Sequence, residues 1–126
     1  MKFFQSTASR GRQGEDSALD FLLDKGMRLI ERNYLCRLGE IDLIMHDKDA
    51  IVFVEVRYRS SQAFGGAINS VDQRKQAKLI KCAQHFIANC LEKKLTEPSF
   101  RFDVIAISPV QSNDGIQWII NAFDEF

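Results

Sequence analysis

Glu40-Ile41-Asp42-Leu43-Ile44-Met45-His46, then Asp47-Lys48-Asp49, then Ala50-Ile51-Val52-Phe53-Val54-Glu55-Val56-Arg57-Tyr58: this stretch decides the fold. Two runs rich in β-branched and apolar residues flank a short polar turn, which is the pattern of a β-hairpin. The second run is apolar and mostly β-branched from Ile51 to Val56, apart from Glu55, as expected of a central strand covered on both faces. A carboxylate inside such a run needs a partner or a purpose.

The register follows from the turn. A two-residue loop at Lys48-Asp49 pairs Asp47 with Ala50. The same register puts Asp42 opposite Glu55 and Glu40 opposite Arg57, with Cβ atoms of directly opposed residues roughly 4.5–5.5 Å apart. A symmetrical four-residue loop keeps these pairs, and a shift by two residues makes them diagonal. A slip of one residue sends the two carboxylates to opposite faces, so the pairing is conditional on loop parity. Asp-Lys-Asp is not among the strong turn signals.

Opposed carboxylates on an apolar sheet repel each other. Either one retains its proton or a cation lies between them. Arg57, two residues beyond Glu55, faces the same way and would complete an ion-pair cluster of Glu40, Asp42, Glu55 and Arg57 that only stabilises the hairpin. Mg²⁺ or Mn²⁺ would serve equally, because hard divalent cations take carboxylate oxygens and keep several waters. Such an ion polarises phosphoryl oxygens and acidifies water. Both readings stand at this point.

Outward from the hairpin, Gly14 to Lys25 reads as a helix with Ala18, Leu19, Leu22 and Leu23 at helical spacing, closed by Gly26 at the C′ position. Glu15 falls on its apolar side; it is either a third carboxylate for the hairpin face or an acid favoured by the helix dipole. Met27 to Tyr34 reads as an edge strand. Residues 59–70 form a loop containing Gly65-Gly66. Ser70 and Gln73 form a capping box that opens a helix to about Leu95. Leu79, Ile80, Ala83, Phe86, Ile87, Cys90 and Leu91 form its apolar stripe. Arg74, Lys78, Lys81, His85 and Asn89 form another face, with Lys75 beside them. After Pro98, Phe100–Ile107 and Gly115–Phe123 read as strands. This order predicts an α/β fold in two or three layers, a central mixed sheet flanked by helices, in one domain spanning 1–126.

The 126 residues are 45% hydrophobic and 27% charged, a balance that excludes both a disordered chain and a membrane-embedded one. The longest apolar stretch is too short to cross a bilayer, and the N-terminus lacks the apolar region of a secretory signal. The expected location is cytoplasmic. Cys36, Cys82 and Cys90 form no C-x-x-C pair and are expected to be reduced thiols. His46 and His85 are expected to be solvated imidazoles rather than zinc ligands. Net charge is zero, yet Arg57 to Lys81 holds six basic residues against Asp72 alone. A polyanion would prefer that side of the molecule.

The segments Gly14-Glu15, Arg37-Leu38-Gly39-Glu40-Ile41-Asp42-Leu43-Ile44, Val52-Phe53-Val54-Glu55-Val56-Arg57 and Val71-Asp72-Gln73-Arg74-Lys75-Gln76 together resemble the YraN-type family of small bacterial proteins, over about Gly11 to Ile107. That family is similar to restriction-endonuclease-like nucleases, especially archaeal Holliday-junction resolvases, with their pattern Glu…Asp…Glu-x-Lys. The resemblance implies a restriction-endonuclease-like fold, with Glu15 as the helix-borne acid. It implies Asp42, Glu55 and the Val56 carbonyl as ligands of Mg²⁺ or Mn²⁺, DNA as substrate, and a homodimer. Arg57 departs from the pattern: it stands where the lysine would. An arginine keeps its proton where a lysine gives it up to activate water. Ile41 likewise stands where the wider group has proline.

Three functions follow as expectations. The first is a metal-dependent endonuclease hydrolysing phosphodiester bonds in branched or otherwise structured DNA, with Glu15, Asp42, Glu55 and Arg57 as its catalytic set. Arg57, Arg59, Arg74, Lys75, Lys78 and Lys81 would hold the DNA backbone without reading sequence. The second is a non-catalytic nucleic-acid-binding module on the same fold, which Arg57 favours. The third is a protein-interaction scaffold in which the charged cluster only braces the hairpin.

Overall fold

The computed structural model describes residues 7–58, 71–89, 98–108 and 115–123, with side chains from Gln13 onward. Helix α1 spans Thr7–Asp24 and strands β1, β2 and β3 span Arg28–Cys36, Gly39–Asp47 and Ala50–Tyr58. Helix α2 covers Gln73–Asn89, followed by β4 at Ser99–Ile107 and β5 at Ile116–Phe123. The strands form one mixed sheet in the order β1-β2-β3-β4-β5, in which only β3 and β4 run parallel. A parallel pair requires a crossover, and α2 lies in it.

Apolar side chains alternate along β3 and build two cores. Ile51 and Phe53 join Leu79, Ala83 and Phe86 of α2 on one face. Val52 and Val54 join Ala18 and Leu22 of α1 on the other. The result is three layers, with a helix on each face of a sheet whose middle strand is β3. Edge strand β1 and central strand β3 are as the sequence predicts.

Helix α1 ends as expected. Gly26 adopts φ +93, and its N–H donates to Leu23 O at 2.9 Å while Met27 N–H reaches Leu22 O at 3.2 Å, the paired bonds of a Schellman motif. The helix begins earlier than expected, at Thr7 rather than Gly14. Gly14 therefore lies inside it, buried, where an added Cβ would come 2.9 Å from the Tyr58 ring. The glycine lets the Tyr58 ring lie against α1, and a larger residue there would have to push the ring aside.

The start of α2 is also corrected. Asp72, not Ser70, is its N-cap: Lys75 N–H donates to Asp72 Oδ1 at 2.9 Å, and Gln76 N–H closes the first turn on Asp72 O. Ser70 and the segment to Leu95 beyond Asn89 lie outside the described residues. The expectation of reduced thiols fails for two cysteines, because Cys36 and Cys82 form a disulfide that pins β1 to α2, with Cα atoms 6.0 Å apart. Cys90 lies outside the described residues. The histidines are not simply solvated either: His85 hydrogen-bonds Tyr34, and His46 Nδ1 lies 3.2 Å from Arg28 Nη2. Among the described residues no helix is long and apolar enough to cross a membrane.

Candidate metal and phosphate site

The hairpin has the two-residue loop that the arithmetic assumed. Asp47 pairs with Ala50, and the register runs without a slip to Leu43 and Val54. The next pair would be Asp42 and Glu55, and there the ladder ends. Instead of a backbone carbonyl, the Asp42 side chain takes the strand's next donor: Val56 N–H donates to Asp42 Oδ2 at 2.8 Å. Ile41 and Ile44, three residues apart, both face the α2 core while Leu43 faces α1, so β2 turns as it leaves β3. The expected pair of Glu40 and Arg57 is not formed in the ladder. Glu40 lies opposite Leu35 of β1, and Arg57 opposite Ala106 of β4.

Asp42 and Glu55 therefore stand where the two strands diverge. Glu55 is only 4% exposed. Its Oε2 lies 3.3 Å from Arg57 Nη1 and 3.6 Å from Lys75 Nζ, the latter reaching down from the first turn of α2. Its Oε1 is buried with no hydrogen-bond partner, the one such side-chain atom among the described residues. Leaving a buried acceptor unpaired costs about 1–3 kcal/mol, and more for a charged group.

The electrostatics agree with the geometry. Burial, then the negative charge of Glu55, pushes the Asp42 carboxyl up from 3.8 to about 8, against the pull of the Val56 N–H bond. Burial also raises Glu55, against the opposing pull of Lys75 and Arg57 and of a hydrogen bond with the Asp42 carboxyl. Neither acid is comfortable as a carboxylate, although two cations are beside them.

A second buried acid provides the contrast. Asp103 of β4 is 0% exposed. Arg101 Nε and Nη2, Trp118 Nε1 and Asn121 N–H all donate to its two oxygens at 2.9–3.2 Å. This fully satisfied carboxylate fixes β5 at the register shift between Phe102 and Val104, beside the left-handed Asn121. Asp103 has a structural role that explains it. Glu55 Oε1 has none.

Glu15 does lie on the sheet side of α1, close enough for its charge to act on Asp42. Its partner is Arg32 of β1, at 3.4 Å, a residue the sequence reading overlooked; Arg32 also pairs with Asp16. Among the described residues no set of three or more His, Cys, Asp and Glu side chains is grouped to hold a metal. Asp42 and Glu55 are a pair, which suits a cation that keeps several waters and takes one or two carboxylates. An unpaired carboxylate oxygen beside a second acid fits a hard divalent ion.

Of the basic residues, Arg74, Lys78 and Lys81 are exposed along α2, and Lys75 is half-buried against Glu55. Lys81 borders a cavity of about 400 Å³ with Cys36, Arg37, Leu38 and His85. Arg59 lies outside the described residues.

Residues 14–107 match the family model described as Uncharacterised protein family UPF0102. A UPF0102 protein of Stutzerimonas stutzeri is 53% identical over 117 residues, covering 92% of this chain and 95% of that one. One from Nitrosomonas europaea is 48% identical over 120 residues, 95% of this chain and 98% of its own. One from Pseudomonas fluorescens is 45% identical over 120 residues, 95% and 97% of the two chains.

Proposed function

The chain belongs to the uncharacterised protein family UPF0102, and from that footing we propose that it is a metal-dependent endonuclease-like protein that hydrolyses phosphodiester bonds in DNA, on a restriction-endonuclease-like fold. The observation that carries this reading is the unpartnered, buried Oε1 of Glu55 beside Asp42. Two neighbouring acids whose ionisation burial opposes are stabilised as carboxylates by a divalent cation between them.

Asp42, Glu55 and the Val56 carbonyl would hold Mg²⁺ or Mn²⁺. When bound, such an ion supplies Lewis-acid polarisation of a phosphoryl oxygen and a more acidic water. In the reaction a water oxygen bonds to phosphorus and the bond from phosphorus to the departing sugar oxygen breaks. The attacking water releases a proton to solvent, and the departing oxygen takes one up. Arg57 faces the notch and stabilises the negative charge that grows on the phosphoryl oxygens. Glu15 adds negative charge on the α1 side, steadied by Arg32. Arg74, Lys78 and Lys81 offer phosphate contacts along α2 without sequence readout.

Purified protein with Mg²⁺ or Mn²⁺ is expected to nick linear, nicked or four-way DNA, and Asp42→Ala to abolish nicking. Cleavage that persists in EDTA, or none on any of the three substrates, contradicts this reading. A second reading, a non-catalytic DNA-binding module, is favoured by Arg57 standing where a lysine would activate water. Salt-sensitive binding that survives both EDTA and Asp42→Ala, without cleavage, selects it. DNA as partner and a homodimer belong to the same proposal, as does a cytoplasmic location, against which the Cys36–Cys82 disulfide stands; sedimentation with and without four-way DNA tests the dimer.

A further inference from the structure

Lys75 stands apart from the other cations of α2. Arg74, Lys78 and Lys81 are exposed, whereas Lys75 is half-buried and its ammonium approaches the same carboxylate oxygen that Arg57 holds. Its backbone is fixed as well, since its own N–H is the one that the cap Asp72 accepts. Lys78 is about 4.5 Å further along the helix axis and Lys81 about 9 Å. Spacing along the helix groups Lys75 with the stripe, but the structure groups it with the notch.

Both cations crowd Oε2 of Glu55 and leave Oε1 bare. The ammonium lies 3.6 Å from Oε2 and acts on that carboxylate by charge and by a long hydrogen bond. It has three protons to give, so it has donors in hand for a second acceptor. A divalent ion on the Glu55 carboxylate would neutralise the charge that attracts Lys75 and Arg57. A phosphate oxygen arriving at the notch is then a strong acceptor within reach of the Lys75 ammonium.

We propose that Lys75 is the second cation of the site: it rests on Glu55 as a counter-ion and, once a divalent ion takes that carboxylate, clamps the scissile phosphate together with Arg57. The proposal rests on the reading of Asp42 and Glu55 as a cation site. It makes Lys75 a competitor of the metal and a partner of the substrate, two roles that a residue of the exposed stripe does not combine.

The test compares Lys75→Met, Lys75→Arg and Lys78→Met with the wild type in Mn²⁺ titrations by calorimetry, and in binding to duplex and four-way DNA at several salt concentrations. Lys75→Met is expected to bind Mn²⁺ about two- to fivefold more tightly, the worth of a half-exposed ion pair, while losing DNA affinity and cleavage. Lys75→Arg keeps the wild-type Mn²⁺ affinity. Lys78→Met leaves Mn²⁺ binding unchanged and lowers the salt slope of DNA binding by about one. If Lys75→Met leaves Mn²⁺ affinity as Lys78→Met does, Lys75 belongs to the stripe and the proposal fails. If the wild type takes up Mn²⁺ but cuts no DNA, the hydrolysis reading falls, and the Mn²⁺ and DNA-affinity shifts still decide the role of Lys75. No uptake of Mn²⁺ by the wild type overturns both.

Discussion

Asp42 and Glu55 are buried beside each other, and this determines how the site responds to pH. Asp42 is pushed up to about 8 by burial and by Glu55. The folded chain thus keeps a proton there that the unfolded chain has released above about pH 4. Metal-free stability must then fall as pH rises from about 4 to about 8. Asp42→Asn removes this loss. In EDTA its stability relative to the wild type should rise by about 1 kcal/mol or more between about pH 5 and about pH 8, measured as urea midpoints with unchanged slopes. A difference that stays constant across this range contradicts the environment assigned to Asp42. The neighbourhood of both acids was legible in the sequence because the loop parity held to Leu43 and Val54, although the direct pairing of Asp42 with Glu55 is not formed. The orphaned oxygen was not legible, because whether a carboxylate is satisfied depends on donors from other elements. Asp103 makes the same point from the other side, its four donors coming from its own strand and from β5.

At the scale of elements, the notch is held by two strands, the first turn of α2 and the middle of α1. The Asp72 cap orders the first turn of α2 and presents Lys75 to Glu55. Asp72→Ala is expected to cost about 1 kcal/mol of stability. It should also weaken DNA binding more than its loss of one negative charge would suggest, since removing an acid from a basic face otherwise strengthens binding to a polyanion. Tighter DNA binding by the variant would show that the cap and the site are independent. The capping box in the sequence pointed to Ser70 and away from Asp72 two residues on. Packing decided for Asp72, because Val71 is buried in the core beneath α2 and its carbonyl accepts from Gln76 Nε2. Helix periodicity shows which residues share a face but not which turn meets the sheet, so Lys75 read as part of the stripe. The early start of α1 was hidden for a related reason: the polar run Thr7–Gln13 has no apolar period to detect.

For the whole molecule, the central place of β3 and its cover on both faces follow from strand patterning, whereas the places of β4 and β5 and the choice of three layers over two came only with the structure. The long-range staples were not legible either. No spacing rule pairs Cys36 with Cys82 across 46 residues, and Arg32 reaches Glu15 only because β1 lies beneath α1. The disulfide predicts that Cys36 and Cys82 resist alkylation until a reductant is added, and that reduction lowers stability by about 2–4 kcal/mol. Mass spectrometry of alkylated protein, with thermal melts in each redox state, checks both; full alkylation without reductant contradicts it. The central claim is that the diverging end of the hairpin is a divalent-cation site, and a Mn²⁺ titration followed by calorimetry tests it most directly. The account predicts saturable uptake by the wild type that is lost in both Asp42→Asn and Glu55→Gln, with each variant still folded. Absence of uptake, or uptake unchanged in both variants, would contradict it.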